Sequence, residues 1–456
     1  MTTAARQQQE PQRPQLLQAA MNAMLQPDIR QKLLFTLALL VVFRFTANLP
    51  VPGINPAALS DVFENNTILG FLNIFSGGAL QNMSIAAMGV YPYITSSIIM
   101  QLMIPLVPTL KALSQEGEQG RKQIQVYTYW MTVPMALVQG YGQLILIQSL
   151  VPGTLNISLS GDQALTTLSI LISMTAGTMF LVWLGELITE RGIGNGISII
   201  IFAGIVAGLP QLIGGRLYTG TGDTITSTLF LGMFALILVA LIVFFQEAKR
   251  RIPVQYSRSV FRSGRMYRQS GQTHIPLRLN STGMIPLIFA FSIIIFPAYM
   301  GQILATNNNE FIASTGDWVQ NAFTPENPWY WAFLFITVVV FTFFYTLVVF
   351  QQQNLAENLQ KQGGFIPGIR PGRPTEEFVN RVLFRITWAG AFFLGFVAIA
   401  PFIASALFGG SLSLSGQTAA LGISGAGLLI VVGVVLDTMR QIESQLLMRQ
   451  YEGFIR

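Results

Sequence analysis

GTMFLVWLGELITERGIGNGISIIIFAGIVAGLP, residues Gly177 to Pro210, carries the pattern that decides the fold. One apolar run ends at Leu187, a short charged and glycine-rich stretch follows, and a second apolar run begins at Gly194. Followed upstream to Leu165 and downstream to Ile213, each run reaches the roughly 20 residues that cross the hydrocarbon core of a bilayer. The segment reads as two membrane spans joined by a tight turn, with Glu186 and Glu190 near the ends that face the cytoplasm. Gly192, Gly194 and Gly196 suit close helix packing or an abrupt start of the second span better than ligand binding.

Outward from this segment the pattern recurs over Lys32 to Pro50, Ser84 to Leu106, Gln125 to Leu146, Ile225 to Phe245, Ser281 to Leu304, Trp329 to Phe350, Ile386 to Phe408 and Thr418 to Leu436, giving about ten spans. Composition agrees: 52% of residues are hydrophobic and 10% charged, far from the quarter or so that is charged in soluble domains. The expectation is a polytopic membrane protein whose spans are all α-helical. The first run starts too deep in the chain, and lacks a small-residue cleavage site, to read as a signal peptide, so it is expected to be retained behind a cytoplasmic tail over residues 1–31.

Charge fixes the orientation. Of the 26 Lys and Arg, all but Arg44 and Arg216 fall in loops that alternate to one side, and the positive-inside rule places that side, with both termini, in the cytoplasm. Gln246 to Asn280 and Gln351 to Arg385 are large cytoplasmic loops holding eight and five of these cations. A net charge of +6 is therefore explained by topology before any nucleic acid need be invoked. On the other face, Asp61, Glu64, Asp162, Asp223, Glu310, Asp317 and Glu326 stand against Arg216 alone. Ten spans with both ends inside divide into halves over 32–216 and 217–438, which enter the membrane in opposite senses, followed by a cytoplasmic tail over 439–456.

ILGFLNIFSGGAL, Ile68 to Leu80, is apolar but too short to cross, and it ends on Gly77 and Gly78. Paired glycines can break a helix because each reaches backbone angles that other residues avoid. The residues alone allow a half-helix that dips in from outside, which requires a cavity around it, or a helix lying on the outer surface.

Catalytic chemistry is largely excluded. The chain has no cysteine and a single histidine, His274 in a cytoplasmic loop. It carries no HExxH, Walker or GxSxG motif, and no Ser/His or paired-aspartate constellation within the spans, so no enzyme, metal or cofactor is expected. An ion-coupled solute transporter, the rival reading, needs acidic or histidine groups deep in the membrane. Only Arg44 sits within a span, and it is open to two uses, snorkelling to the surface or pairing with backbone carbonyls at a helix end. Val90 and Ile94, and again Ile197 and Ile201, are four residues apart and so share a helix face; by itself that pattern is unspecific.

FLNIFSGGALQNMSIAAMGVYPYITSSIIMQL (Phe71 to Leu102), the Gly177 to Pro210 block and GGFIPGIRPGRPTEEF (Gly363 to Phe378) together closely resemble the SecY family, the pore subunit of the bacterial general protein translocase. The resemblance implies two inverted five-helix halves around an hourglass pore that opens sideways to lipid, through which unfolded chains pass and from which membrane spans leave. It makes 68–80 a re-entrant plug, with Phe71, Asn73, Phe75, Gly77 and Gly78. It places Val90, Ile94, Ile197, Ile201, Ile288 and Ile430 in a ring at the pore's waist, and Thr95, Gln139 and Asn280 along the lateral gate. The cytoplasmic loops become docking elements, with Arg250, Arg251, Arg258, Arg262, Arg265 and Arg268 in the first and Arg370 in the second. One departure is Met266 after Arg265, where the family often shows tandem arginines. The implied partners are the small subunits SecE and SecG, the motor ATPase SecA, the ribosome, preprotein signal sequences, membrane lipid, SecDF and YidC. The implied location is a bacterial plasma membrane, or a thylakoid if the host is photosynthetic.

Overall fold

The structure is a computed structural model and describes residues 26–51, 73, 76–150, 163–219, 222–262, 265–280, 283–305, 310–323, 327–353, 359–361, 363–408 and 425–455. Helix α1 (Pro27–Ala47) shows what solvent the fold is built for. It buries Thr36, Phe43 and Ala47, yet the opposite face exposes Leu37, Val41 and Phe45, each about one turn from the next. A helix in water would carry polar groups there, so that face is made for lipid.

The span expected from Ser84 becomes helical only at Tyr91, in α2 (Tyr91–Leu106). Upstream, Ser84 forms an antiparallel bridge with Pro50, Val51 N–H donates to Met83 O at 2.9 Å and Ile85 N–H to Leu49 O at 2.9 Å. Met83 and Gly89 adopt φ of 42° and 57°, and Pro92 opens the first helical turn. These left-handed residues delay the helix start. At the other end Val107 is extended, as residues before proline tend to be, and the chain bends by 98° into α3 (Pro108–Gln115).

Helices α4 (Glu118–Leu150), α5 (Ala164–Arg191) and α6 (Gly196–Thr219) follow. The tight turn between α5 and α6 depends on Gly194, at φ 86°, and on Gly196, where an added Cβ would collide with the carbonyl oxygen of Gly185. Thr189 Oγ1 accepts the Gly196 N–H at 2.8 Å and closes the corner. Between the expected spans that end at Ile213 and begin at Ile225 the described residues are helix, since α6 runs to Thr219 and α7 (Gly222–Glu247) starts at Gly222.

The expectation of an all-α chain fails in the two large basic loops. Strands β1 (Lys249–Arg262) and β2 (Arg265–Arg278) form an antiparallel hairpin, and β3 (Gly364–Phe365) pairs with the other edge of β1, giving the order β2-β1-β3. The cause is a period of two: Ile252 and Val254 are buried while Arg251 and Pro253 are exposed. The two large basic loops are therefore one unit. Ile252, Val254, Leu277 and Ile366 pack on Val379, Val382, Leu383 and Ile386 of α11 (Arg373–Ala398).

Helices α8 (Ile285–Ala305), α9 (Glu310–Ala322) and α10 (Pro328–Gln353) precede α11, and α12 (Ala400–Phe408) and α13 (Gly425–Ile455) follow it. The tail expected from residue 439 is a continuation of α13, tied down where Arg440 Nη2 donates to Glu247 Oε1 at 2.5 Å. Among the described residues, Ala164–Arg191, Pro328–Val348 and Arg373–Ala398 are long and apolar enough to cross a membrane, and the bent α2–α3 pair is a further candidate.

Three large apolar cores lie among the described helices, besides a small one around Ile29, Ile193 and Ile442. One, around Leu80, Met83, Leu144 and Met174, is confined to the first half; another, around Leu287, Phe291, Leu334 and Leu394, is confined to the second. The third draws from both. Gly196→Val, which forces overpacking at the α5–α6 corner, is expected to destabilise the detergent-solubilised protein by about 1–3 kcal/mol. Gly142→Ala, where nothing lies within 4 Å, is expected to leave the thermal midpoint unchanged or slightly raised, as measured by thermal unfolding of both variants beside the parent.

Candidate functional site

The core shared by the halves contains all of the expected ring residues. Val90, Ile201, Ile288 and Ile430 are buried members, and Ile94 and Ile197 pack against them. They come from separate elements: Val90 caps α2, where Ile94 N–H donates to its carbonyl at 3.1 Å; Ile197 and Ile201 are one turn apart on α6; Ile288 lies in the first turn of α8 and Ile430 on α13. Phe43 and Ala47 of α1 join them, as does Ala79. Chemically this is a surface with no hydrogen-bonding capacity, made of branched side chains that expel water when close and shift to admit a larger body.

Ala79 belongs to the segment expected as a plug. Phe71 and Phe75 lie outside the described residues, so the half-helix is described only at Asn73 and 76–80, where the latter stretch forms turns. Ser76, Gly77, Ala79 and Leu80 are buried, so this stretch is folded into the protein and does not lie on its surface. Gly77 and Gly78 adopt φ of 70° and 83°, as a helix break requires. Asn73 organises the turn: its carbonyl accepts the Gly78 N–H at 2.9 Å and the Ser76 hydroxyl at 3.0 Å, and its Oδ1 accepts the Gln81 N–H at 2.9 Å. Two further contributors were not singled out as partners of this segment in the sequence: Gly204 of α6, on which Gly77 rests, and Arg44, which donates to the Gly77 carbonyl at 2.6 Å. A charge within a span marked Arg44, and of its two expected uses the structure shows pairing with a backbone carbonyl; Gly204, a single glycine in an apolar run, leaves no pattern to find it by.

Thr95 and Gln139 meet. Gln139 Nε2 donates to Thr95 Oγ1 at 3.0 Å, while the threonine hydroxyl donates to its own helix at Tyr91 O, 2.8 Å away. The pair thus bridges α2 and α4 without either helix losing a backbone bond. Gln139 Oε1 is buried and has no hydrogen-bond partner among the described residues. Asn280 is buried just ahead of α8, which packs against both α2 and α4.

The cationic residues gather on the three-stranded sheet. Arg250 and Arg251 are exposed near the start of β1, next to α7. The hairpin register sets Arg262 opposite Arg265, Arg268 opposite Ser259 and Arg258 opposite Gln269, so these four arginines share its far end. Arg370 is exposed on a turn held by an Ile369 N–H bond to Ile366 O at 3.0 Å, and its carbonyl accepts the Thr375 hydroxyl at 2.8 Å. Because Ile366 is part of the core beneath the sheet, Arg370 rides on the same rigid body. His274 is exposed on β2.

Residues 84–439 match the family model described as SecY. The protein translocase subunit SecY of Streptomyces galbus is 42% identical over 453 residues, covering 97% of this chain and all of that one. Among solved structures, one of a SecY protein whose plug domain stabilises the closed state of the translocation channel superposes with a TM-score of 0.59 at 17% identity, covering 91% of each chain. Sec61 from a canine ribosome–channel complex superposes with a TM-score of 0.55 at 16% identity over 91% of each chain. At those identities the structures speak for the fold.

The Thr95–Gln139 bridge yields a clean double-mutant test. Thr95→Val leaves the buried Gln139 amide without its acceptor and is expected to cost about 1–2 kcal/mol, whereas Thr95→Val with Gln139→Leu, which removes both partners, returns most of that loss. Unfolding midpoints of the three proteins in detergent measure the cycle.

Proposed function

This chain belongs to the SecY family, and we propose that it forms a protein-conducting channel in which the shared aliphatic core is the seal. The carrying observation is that Val90, Ile94, Ile197, Ile201, Ile288 and Ile430, far apart in sequence and drawn from both halves, meet in one apolar cluster. A seal of this kind blocks ions by dewetting while still yielding to an unfolded chain of any side-chain chemistry. Full architecture on this reading is ten spans in two inverted halves, a waist at the ring, and a plug over 68–80 on the outer side.

The channel itself supplies no energy. A cytoplasmic partner, SecA or the ribosome, docks on the basic sheet, where Arg250, Arg251, Arg258, Arg262, Arg265 and Arg268 offer a strip suited to RNA phosphates and acidic protein surfaces. Arg370, between Pro367 and Pro371 in a preformed turn, loses little backbone freedom on contact. The Thr95–Gln139 bridge, with Asn280 nearby in the fold, holds the lateral gate at about 0.6 kcal/mol per hydrogen bond, weak enough for an apolar signal helix to displace it. SecE, SecG, SecDF and YidC are the accessory subunits such a channel works with, in a bacterial plasma membrane with both termini in the cytoplasm.

Two experiments test this. Reconstituted with SecE, SecG and SecA, the chain is expected to protect a signal-bearing precursor from external protease in an ATP-dependent manner, and Arg370→Glu is expected to abolish protection with the complex still assembled; protection that survives the charge reversal removes Arg370 from the docking site. In planar bilayers, Ile94→Gly with Ile201→Gly is expected to raise resting ion conductance several-fold, and unchanged conductance removes those residues from the seal.

A further inference from the structure

We propose that Arg44 is the positioning residue that latches the plug shut, an inference that rests on reading the segment around Gly77 as the plug. A cation on an apolar helix is costly unless it finds partners. Arg44 sits half-buried in the last turn of α1, between residues whose neighbours Phe43 and Ala47 belong to the seal cluster. Its Nη1 donates to the Gly77 carbonyl at 2.6 Å, a span of 33 residues along the chain, and lies 3.9 Å from where a Cβ on Gly78 would stand. The guanidinium therefore covers both glycines of the break.

The receiving side is shaped for it. Gly77 has φ 70°, a left-handed backbone that side chains resist, and a Cβ added there would lie 2.7 Å from Gly204 Cα and 3.4 Å from Phe43 Cζ. Glycine is thus required both for the turn and for its seat on α6. Gly204 is three residues beyond Ile201 and Ala79 is two beyond Gly77, and Ile201 and Ala79 are both in the seal cluster, so the latched turn adjoins the ring directly. A second tie runs from the same end of α1, where Asn82 Nδ2 donates to Asn48 Oδ1 at 3.1 Å.

Hydration makes the latch reversible. A charge-assisted bond to a carbonyl is strong where water is absent, and when an entering chain wets the pore both groups can exchange partners with water at small net cost. The contact holds hardest in the dry resting state and weakens as the pore opens, which is what a plug restraint needs.

The test is amide hydrogen exchange by mass spectrometry together with resting conductance, on the full chain reconstituted with its small subunits. Arg44→Gln is expected to speed exchange across 76–84 about tenfold, leave peptides of α10 and α11 unchanged, and raise the resting leak; Arg44→Lys, retaining a donor, is expected to fall between. Unchanged exchange at 76–84, or acceleration spread evenly through the protein, overturns the latch. Local acceleration without leak upholds the latch and defeats the reading of this segment as part of the seal. Should Arg44→Gln fail to assemble, Gly77→Ala attacks the same seat from the other side, with the same local acceleration expected and its absence overturning the proposal.

Discussion

The dry cluster between the halves constrains nearly everything else in this structure. Ordinary membrane helices associate without a hydrophobic driving force, because lipid is as apolar as their side chains, and the cores confined to each half rely on close packing, as where Gly140 sits against Met88 and Leu171. On the proposed function the shared cluster must also be tight at rest and separable under load. Branched aliphatics answer both demands, since they offer contact area and no directional bonds that must be broken one at a time. Polar ties such as Thr95–Gln139 and Arg44–Gly77 stand near the cluster, and on the same reading few, weak, directional bonds set which state the aliphatic surfaces occupy.

The three-stranded sheet is mechanically continuous with the helices. Residues of β1, β2 and the turn after β3 pack on the first turns of α11, and the same helix carries Phe393 and Leu394 into the second-half core. Force applied at the Arg370 turn would therefore bear on a helix of 26 residues that runs on into the second-half core. Arg440, midway along α13, bonds Glu247 at the end of α7 and so ties those two helices together.

Much of the helical framework was legible because hydrophobic length and the side of the basic loops are local, one-dimensional signals. Where local signals conflicted, the reading drifted. RIPVQYSRSVFR reads as a charged loop if arginines are counted and as a strand if the alternation of Ile252 and Val254 is followed; pairing with β2 and with a distant β3 settled it as strand. The late start of α2 follows from Gly89, Pro92 and the Pro50–Ser84 bridge, the last of which joins residues that no window of sequence holds together. Helix α13 runs on through residue 439 into the segment expected as a tail, a continuation that the polar composition after Leu436 does not signal.

By itself the sequence determined the solvent of this protein, the absence of familiar catalytic motifs and, through its motifs, its kinship, because composition and motif are carried by adjacent residues. Only the tertiary structure decided that six aliphatic residues on separate elements form one cluster, that two basic loops share one sheet, and that Arg44 finds its carbonyl at Gly77. Each of these is a meeting of residues tens to hundreds of positions apart, and the energy that selects it comes from burial and close approach, which exist only once the chain has folded.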